Sequence, residues 1–138
     1  MFMNYLIDAD VCIANGDDVH RSYYDWLVEW STKNDYYIIS QKNFDDLYST
    51  IGKTLLYNSK AIYANGGRTV YIQSRLVEHD DVLSKDPTRI PVMLEEPLTY
   101  YGNDMEFGRA VIGSGQTYCS VRNWKEAWKN LREEELCA

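Results

Sequence analysis

Hydrophobic and polar positions follow two different periods along this chain. Short apolar and aromatic runs at 3–7 (MNYLI), 36–39 (YYII), 61–64 (AIYA), 69–72 (TVYI), 98–101 (LTYY) and 117–121 (TYCSV) predict strands. Between them the spacing changes to i, i+3, i+4, i+7. Tyr23, Trp26, Leu27 and Trp30 share one face of a helix over 21–32. Phe44, Leu47, Tyr48 and Ile51 share one face of a short helix that Asn43 caps and Gly52 stops. A further helix is predicted over 104–112. A last one opens at Asn123, with Glu126 three residues on and Trp124, Ala127, Trp128 and Leu131 on one face. Asn65-Gly66-Gly67 lies between two strand-like runs and signals a hairpin. Residues 77–87 are charged and read as a loop; a helix capped by Asp86 or Thr88 follows through Leu94, and Pro97 closes it. The order β-α-β-α-β-β-α-β-α-β-α predicts an α/β fold. Its sheet is mostly parallel, with helices on both faces and an appended β-hairpin. No repeat or linker divides the 138 residues, so 1–138 reads as one domain.

Composition narrows the classes. With 45% hydrophobic and 25% charged residues the chain is neither disordered nor fibrous. Its 14 basic and 21 acidic residues give a net charge of −7, which argues against nucleic acid as a partner. A local basic patch would have to draw on Arg68, Arg75, Lys85 and Arg89. The first ten residues have no basic segment ahead of an apolar run, and no stretch approaches the roughly 20 apolar residues of a membrane span. Cys12, Cys119 and Cys137 are odd in number and far apart, which suits reduced thiols and a cytoplasmic location. His20 and His79 have no zinc-type spacing and read as structural or solvated. The pairs Trp26/Trp30 and Trp124/Trp128 read first as core packing and second as a patch for homo-oligomer formation. Gly113-Ser114-Gly115 reads as a turn, since no Lys-Ser/Thr follows it.

In parallel sheets covered by helices, function gathers at the carboxyl ends of the strands. Asp8-Ala9-Asp10 ends the first strand. Two close carboxylates repel, and a hard dication such as Mg²⁺ neutralises them with oxygen ligands. One could attack phosphorus while the other moves a proton; the plain alternative is a loop with two solvated acids. Ser40 ends the second strand, and its hydroxyl and the adjoining Gln41 can hold phosphate oxygens near a helix N-terminus. Gly102-Asn103-Asp104 adds an acid suited to metal binding, or simply a helix cap. Lys85 or Arg89 supplies a cation that would offset the charge of a phosphorylated carboxylate.

Acid pair, hydroxyl, cation and second acid occur in an order that resembles the haloacid dehalogenase superfamily. Those proteins are Mg²⁺-dependent phosphotransferases that work through a phosphoaspartate. Ile7-Asp8-Ala9-Asp10-Val11-Cys12-Ile13 resembles the first motif, Tyr37–Ser40 the second and Tyr100–Glu106 the fourth. The phosphomannomutase and sucrose-phosphatase-like branch is the most similar, through IYANGG at 62–67, GNDME at 102–106 and VRNWKEAWKNL at 121–131. The resemblance implies a three-layer Rossmann-like fold. It also implies Asp8 as nucleophile, Asp10 as general acid/base, Ser40, Gln41 and Lys85 on the phosphoryl group, and Asp8, Asp10 and Asp104 around Mg²⁺.

The departures shape the expected function. Val11-Cys12 stands where the family has Gly-Thr, and the fourth motif lacks the Gly-Asp before its Asn-Asp. Asp86-Pro87-Thr88 replaces Asp-Lys-Thr, so Lys85 or Arg89 must substitute. Ser40 and Lys85 are only 45 positions apart, which leaves no room for a cap domain. Without a lid a phosphoaspartate is open to water, which favours hydrolysis over a mutase reaction. The expected activity is therefore Mg²⁺-dependent hydrolysis of a phosphomonoester, on a small or exposed phosphate and with no membrane partner. The alternative is a binding or regulatory protein that keeps the fold without turnover.

Overall fold

Tyr5, Ile7, Tyr36, Ile38, Ile62 and Tyr101 pack on one side of a sheet, and Leu6, Tyr37, Tyr63 and Tyr100 on the other. Successive residues of a strand face opposite ways, so runs that are apolar throughout become strands buried on both faces. The computed structural model describes residues 4–16, 18–72, 75–78 and 97–137. Its strands are β1 (Asn4–Asp8), β2 (Asp35–Ile39), β3 (Ala61–Ala64), β4 (Thr69–Ile72), β5 (Arg75–Glu78), β6 (Leu98–Gly102) and β7 (Thr117–Ser120). Its helices are α1 (Ala9–Cys12), α2 (Arg21–Ser31), α3 (Phe44–Asn58), α4 (Met105–Gly113) and α5 (Trp124–Cys137).

The seven strands lie in the order β5-β4-β3-β2-β1-β6-β7. From β3 through β7 all neighbours are parallel; β4 and β5 join antiparallel at one end. The protein is thus α/β, with a mostly parallel, Rossmann-like sheet and an appended hairpin. Side chains of α1, α2, α3 and α5 share one core with the sheet, including Cys12, Tyr23, Leu27, Leu47, Leu55 and Leu131. Val111 and Phe107 of α4 belong to the core on the opposite face. Helix, sheet and helix therefore make three layers.

The local signals hold where they are complete within a few residues. Asn43 Oδ1 accepts from the Asp46 N–H at 2.8 Å, and Asn123 Oδ1 from the Glu126 N–H at 3.1 Å. Both are caps that satisfy otherwise orphaned helix donors. The β3–β4 turn is Asn65–Gly67, and all three residues have positive φ. Two expectations change. Gly52 interrupts the helix it was expected to stop, with φ 80° and ψ 167°, but helical geometry resumes and buries Leu55 and Leu56. Residues 75–78 form a strand although the loop was expected from 77. Arg75-Leu76-Val77-Glu78 has too few apolar positions to show a period, and pairing with β4 decides its conformation. The predicted helix ending at Leu94, with Lys85 and Arg89, lies outside the described residues.

The tryptophans are structural. Tyr23, Trp26 and Trp30 of α2 meet Trp124 and Trp128 of α5 in a continuous set of ring contacts, and His20 stacks on Trp124 at 4.7 Å. Cys12 and Cys119 are not joined in a disulfide. Among the described residues no helix is long and apolar enough to cross a membrane.

Candidate functional site

The chain runs from β1 outward through β2 and β3, then returns to build β6 and β7 on the other flank of β1. The order reverses between β1 and β6, and in open α/β sheets ligands bind at the carboxyl edge of such a switch point. Asp8 is the last residue of β1, and Asp104 lies two residues past the end of β6. Ser40 follows β2, the other neighbour of β1. The sheet order therefore carries three residues distant in sequence to adjacent positions on one edge.

Asp8 has extended backbone geometry and caps α1: its Oδ1 accepts from the Asp10 N–H at 3.2 Å. The chain turns into a helix at once, which brings Asp10 back over the edge. Asp10 Oδ1 accepts from the Ser40 hydroxyl at 2.7 Å, and Oδ2 from the Gln41 N–H at 2.8 Å. Ser40 is itself buried and its Oγ accepts from the Lys42 N–H at 3.0 Å. The two donors expected to hold phosphoryl oxygens hold the Asp10 carboxylate here. The β3–β4 turn supports this segment from the side: the Gly66 N–H donates to the Ser40 carbonyl at 2.8 Å and the Asn65 N–H to the Lys42 carbonyl at 2.9 Å.

Asp104 Oδ1 accepts from the Phe107 N–H at 3.1 Å, so it caps α4. Among the described residues no group of three or more His, Cys, Asp or Glu side chains stands ready to hold a metal ion. The expected convergence of Asp8, Asp10 and Asp104 on one point is therefore absent as a preformed cluster. The physical reason is that each carboxylate already accepts main-chain or side-chain donors, and those of Asp10 turn it toward β2. Electrostatics nevertheless leaves negative charge in excess. Burial is the largest cause raising Asp8 from its ordinary 3.8 to about 7, with the Asp10 charge second and Asp104 also contributing. The Asp10 N–H and the Tyr100 hydroxyl oppose that rise. Mg²⁺ keeps several waters and needs only one or two carboxylates, so a half-buried acid beside two others is chemically suited to it.

One residue that the sequence reading passed over enters the site from below. Leu6 pairs with Tyr100 in the β1/β6 register, so Tyr100 sits two residues before the level of Asp8 and on the same face. Its hydroxyl donates to Asp8 Oδ2 at 3.3 Å. The ring is held between Phe107, with centroids 4.7 Å apart, and Tyr118, stacked at 5.3 Å. Gly102 makes this possible, because a Cβ there would overlap the Tyr100 hydroxyl and ring. The signal available was Tyr followed two residues later by Gly, one face of a strand with space above the ring. Cys12 also differs from a surface thiol: it is buried, its Sγ donates to the Tyr101 carbonyl at 3.2 Å, and burial pushes its pKa well up.

No family model and no curated protein matches this sequence. Two solved structures are similar in shape. One is an ATP-bound IMP-nucleotidase of Plasmodium falciparum, 12% identical with a TM-score of 0.41, over 55% of this chain and 23% of that one. The other is a Eubacterium rectale protein provisionally described as a phosphatase, 10% identical with a TM-score of 0.47, over 88% of this chain and 52% of that one. The chain thus spans about a quarter and about half of their lengths. Likenesses of this size fix neither a family nor an activity.

Proposed function

We propose that this chain is a hydrolase of phosphomonoesters, resembling a lidless haloacid dehalogenase-type phosphatase, and that it works through a phosphorylated Asp8. The observation that carries the reading is Asp8 itself: a half-buried carboxyl at the topological switch point, with Asp10 fixed beside it by Ser40 and Gln41. A carboxylate at that position can reach a phosphorus atom from the edge of the sheet. Asp10 lies within one helical turn and can give a proton to the leaving oxygen, then accept one from water. As Asp10 gains its proton it becomes a poorer acceptor. The Ser40 hydroxyl and Gln41 N–H then turn to the phosphoryl oxygens.

Mg²⁺ belongs to this proposal, with Asp8, Asp10 and Asp104 as its proposed ligands. Bound there it would offset phosphoryl charge. Burial and the Asp10 charge favour the protonated form of Asp8, and a nearby cation would keep it ionised. Lys85 remains the proposed phosphate-binding cation, with Arg89 as its competitor. The proposed substrate is a small or exposed phosphomonoester.

The decisive experiment is release of phosphate from a generic aryl phosphomonoester with Mg²⁺ and with excess chelator. Turnover that needs the metal and vanishes in Asp8→Asn supports the reading; none under either condition rejects it. A second reading, a binding or regulatory protein that keeps the fold without turnover, is favoured by one observation. Asp10 occupies both donors that a phosphate would use. Phosphate binding without hydrolysis, measured by calorimetry, would select it.

A further inference from the structure

Tyr100 is the described side chain that reaches Asp8 from inside the sheet, and the sequence spends a glycine to let it through. Its hydroxyl donates to Asp8 Oδ2 while the Asp10 N–H holds Oδ1. The ring has no freedom to swing, being packed between Phe107 and Tyr118. At 3.3 Å the bond to Asp8 is long for two oxygens, as such bonds often are before substrate arrives.

We infer that Tyr100 is a catalytic residue of the second half of the reaction, where its hydroxyl stabilises the carboxylate that leaves when phosphoaspartate is hydrolysed. This rests on the phosphatase reading above. In the first half an Asp8 oxygen attacks phosphorus. The bond from phosphorus to the substrate oxygen breaks, and that oxygen takes the electron pair and a proton from Asp10. Asp8 has then lost its charge, and Tyr100 faces the weakly accepting carbonyl oxygen of an acyl phosphate. In the second half a water oxygen attacks phosphorus and gives a proton to Asp10. The phosphorus–Asp8 bond breaks and its electron pair returns to the carboxylate. Charge spreads over both oxygens, so the bond from Tyr100 to Oδ2 strengthens as the reaction proceeds. An interaction stronger in the transition state than before it accelerates that step. For the first half the same donor is neutral or slightly adverse, since it favours the charged carboxylate that is being consumed.

Tyr100→Phe separates these halves while keeping the ring between Phe107 and Tyr118. With Mg²⁺ and an aryl phosphomonoester, slower hydrolysis of phosphoaspartate should lower kcat and KM together, each on the order of tenfold. kcat/KM should stay near wild type, and the acid-quenched phosphoenzyme fraction should rise. Gly102→Ala keeps the hydroxyl but pushes it off Asp8, and should give the same pattern by a different route. The metal-free Tyr100→Phe crystal structure should show the Asp8 carboxylate turned away from its wild-type position. A fall in kcat/KM without phosphoenzyme accumulation, in either folded variant, would show that Tyr100 only shapes the site. Wild-type kinetics in both variants would remove it from the mechanism and leave the phosphatase reading standing. A wild-type protein that forms no phosphoenzyme and releases no phosphate overturns both.

Discussion

Asp8 and Asp10 are two residues apart and differ in every contact that matters. Asp8 is a half-buried acid held by one N–H and one phenol; Asp10 has a hydroxyl and an N–H on separate oxygens. Asp8→Asn is expected to abolish turnover, because an amide cannot form the acyl phosphate. Asp10→Asn should lower kcat by ~10²–10⁴ while phosphate binding persists, measured by steady-state kinetics and calorimetry. The environment of Asp8 also sets a pH dependence of stability. Its folded pKa of about 7 lies above the ordinary 3.8, so the folded state binds the proton more tightly than the unfolded chain. The resulting stabilisation is complete below about pH 4 and is lost as pH rises through 7. It amounts to about 4 kcal/mol at most, less whatever water around the half-buried carboxylate returns. Without metal, thermal melting of the wild type should therefore fall from pH 5 to pH 8 relative to Asp8→Asn. Added Mg²⁺ at pH 8 should restore part of the difference. Parallel melting curves would show that Asp8 does not feel its burial.

Among the elements, the turns carry as much of the site as the strands. Gly66 has φ 71°, and a Cβ there would come within 2.9 Å of Gln41 Oε1. Gly66→Ala is expected to cost about 1 kcal/mol in chemical denaturation, through a strained backbone. It should also raise KM by shifting the Ser40–Gln41 segment that the turn supports. Asn123→Ala should cost a similar ~1 kcal/mol by removing the α5 cap, with KM unchanged. These two variants separate support of the site from stability alone. The elements also mark how far a sequence can be read. Asn43 and Asn123 are legible as caps because donor and acceptor lie three residues apart. The runs of β1, β2, β3 and β6 are legible because both faces of a central strand are buried. β5 is not legible, since its conformation comes from a partner strand. Tyr100 is not legible either: its meeting with Asp8 depends on the β1/β6 register, across ninety-two residues. The Asp8–Ser40 neighbourhood could be anticipated from strand ends, but the use of Ser40 to bind Asp10 could not.

At the scale of the whole molecule, one sheet edge gathers Asp8, Asp10, Ser40 and Asp104, while the packed pair α2 and α5 gathers rings. All four tryptophans of the chain belong to that second region: Trp26, Trp30, Trp124 and Trp128 are linked by ring contacts. Trp30 and Trp128 have their indole N–H groups buried without a hydrogen-bond partner. The Tyr23 hydroxyl, from the same cluster, donates to the Cys12 carbonyl at the end of α1, four residues from Asp8. Such crowding gives the protein a built-in optical probe with a single address. Intrinsic emission, and the exciton-split near-ultraviolet dichroism of stacked indoles, will report the docking of the first long helix against the last. They will be silent about the hairpin at the far end of the sheet, where no indole lies.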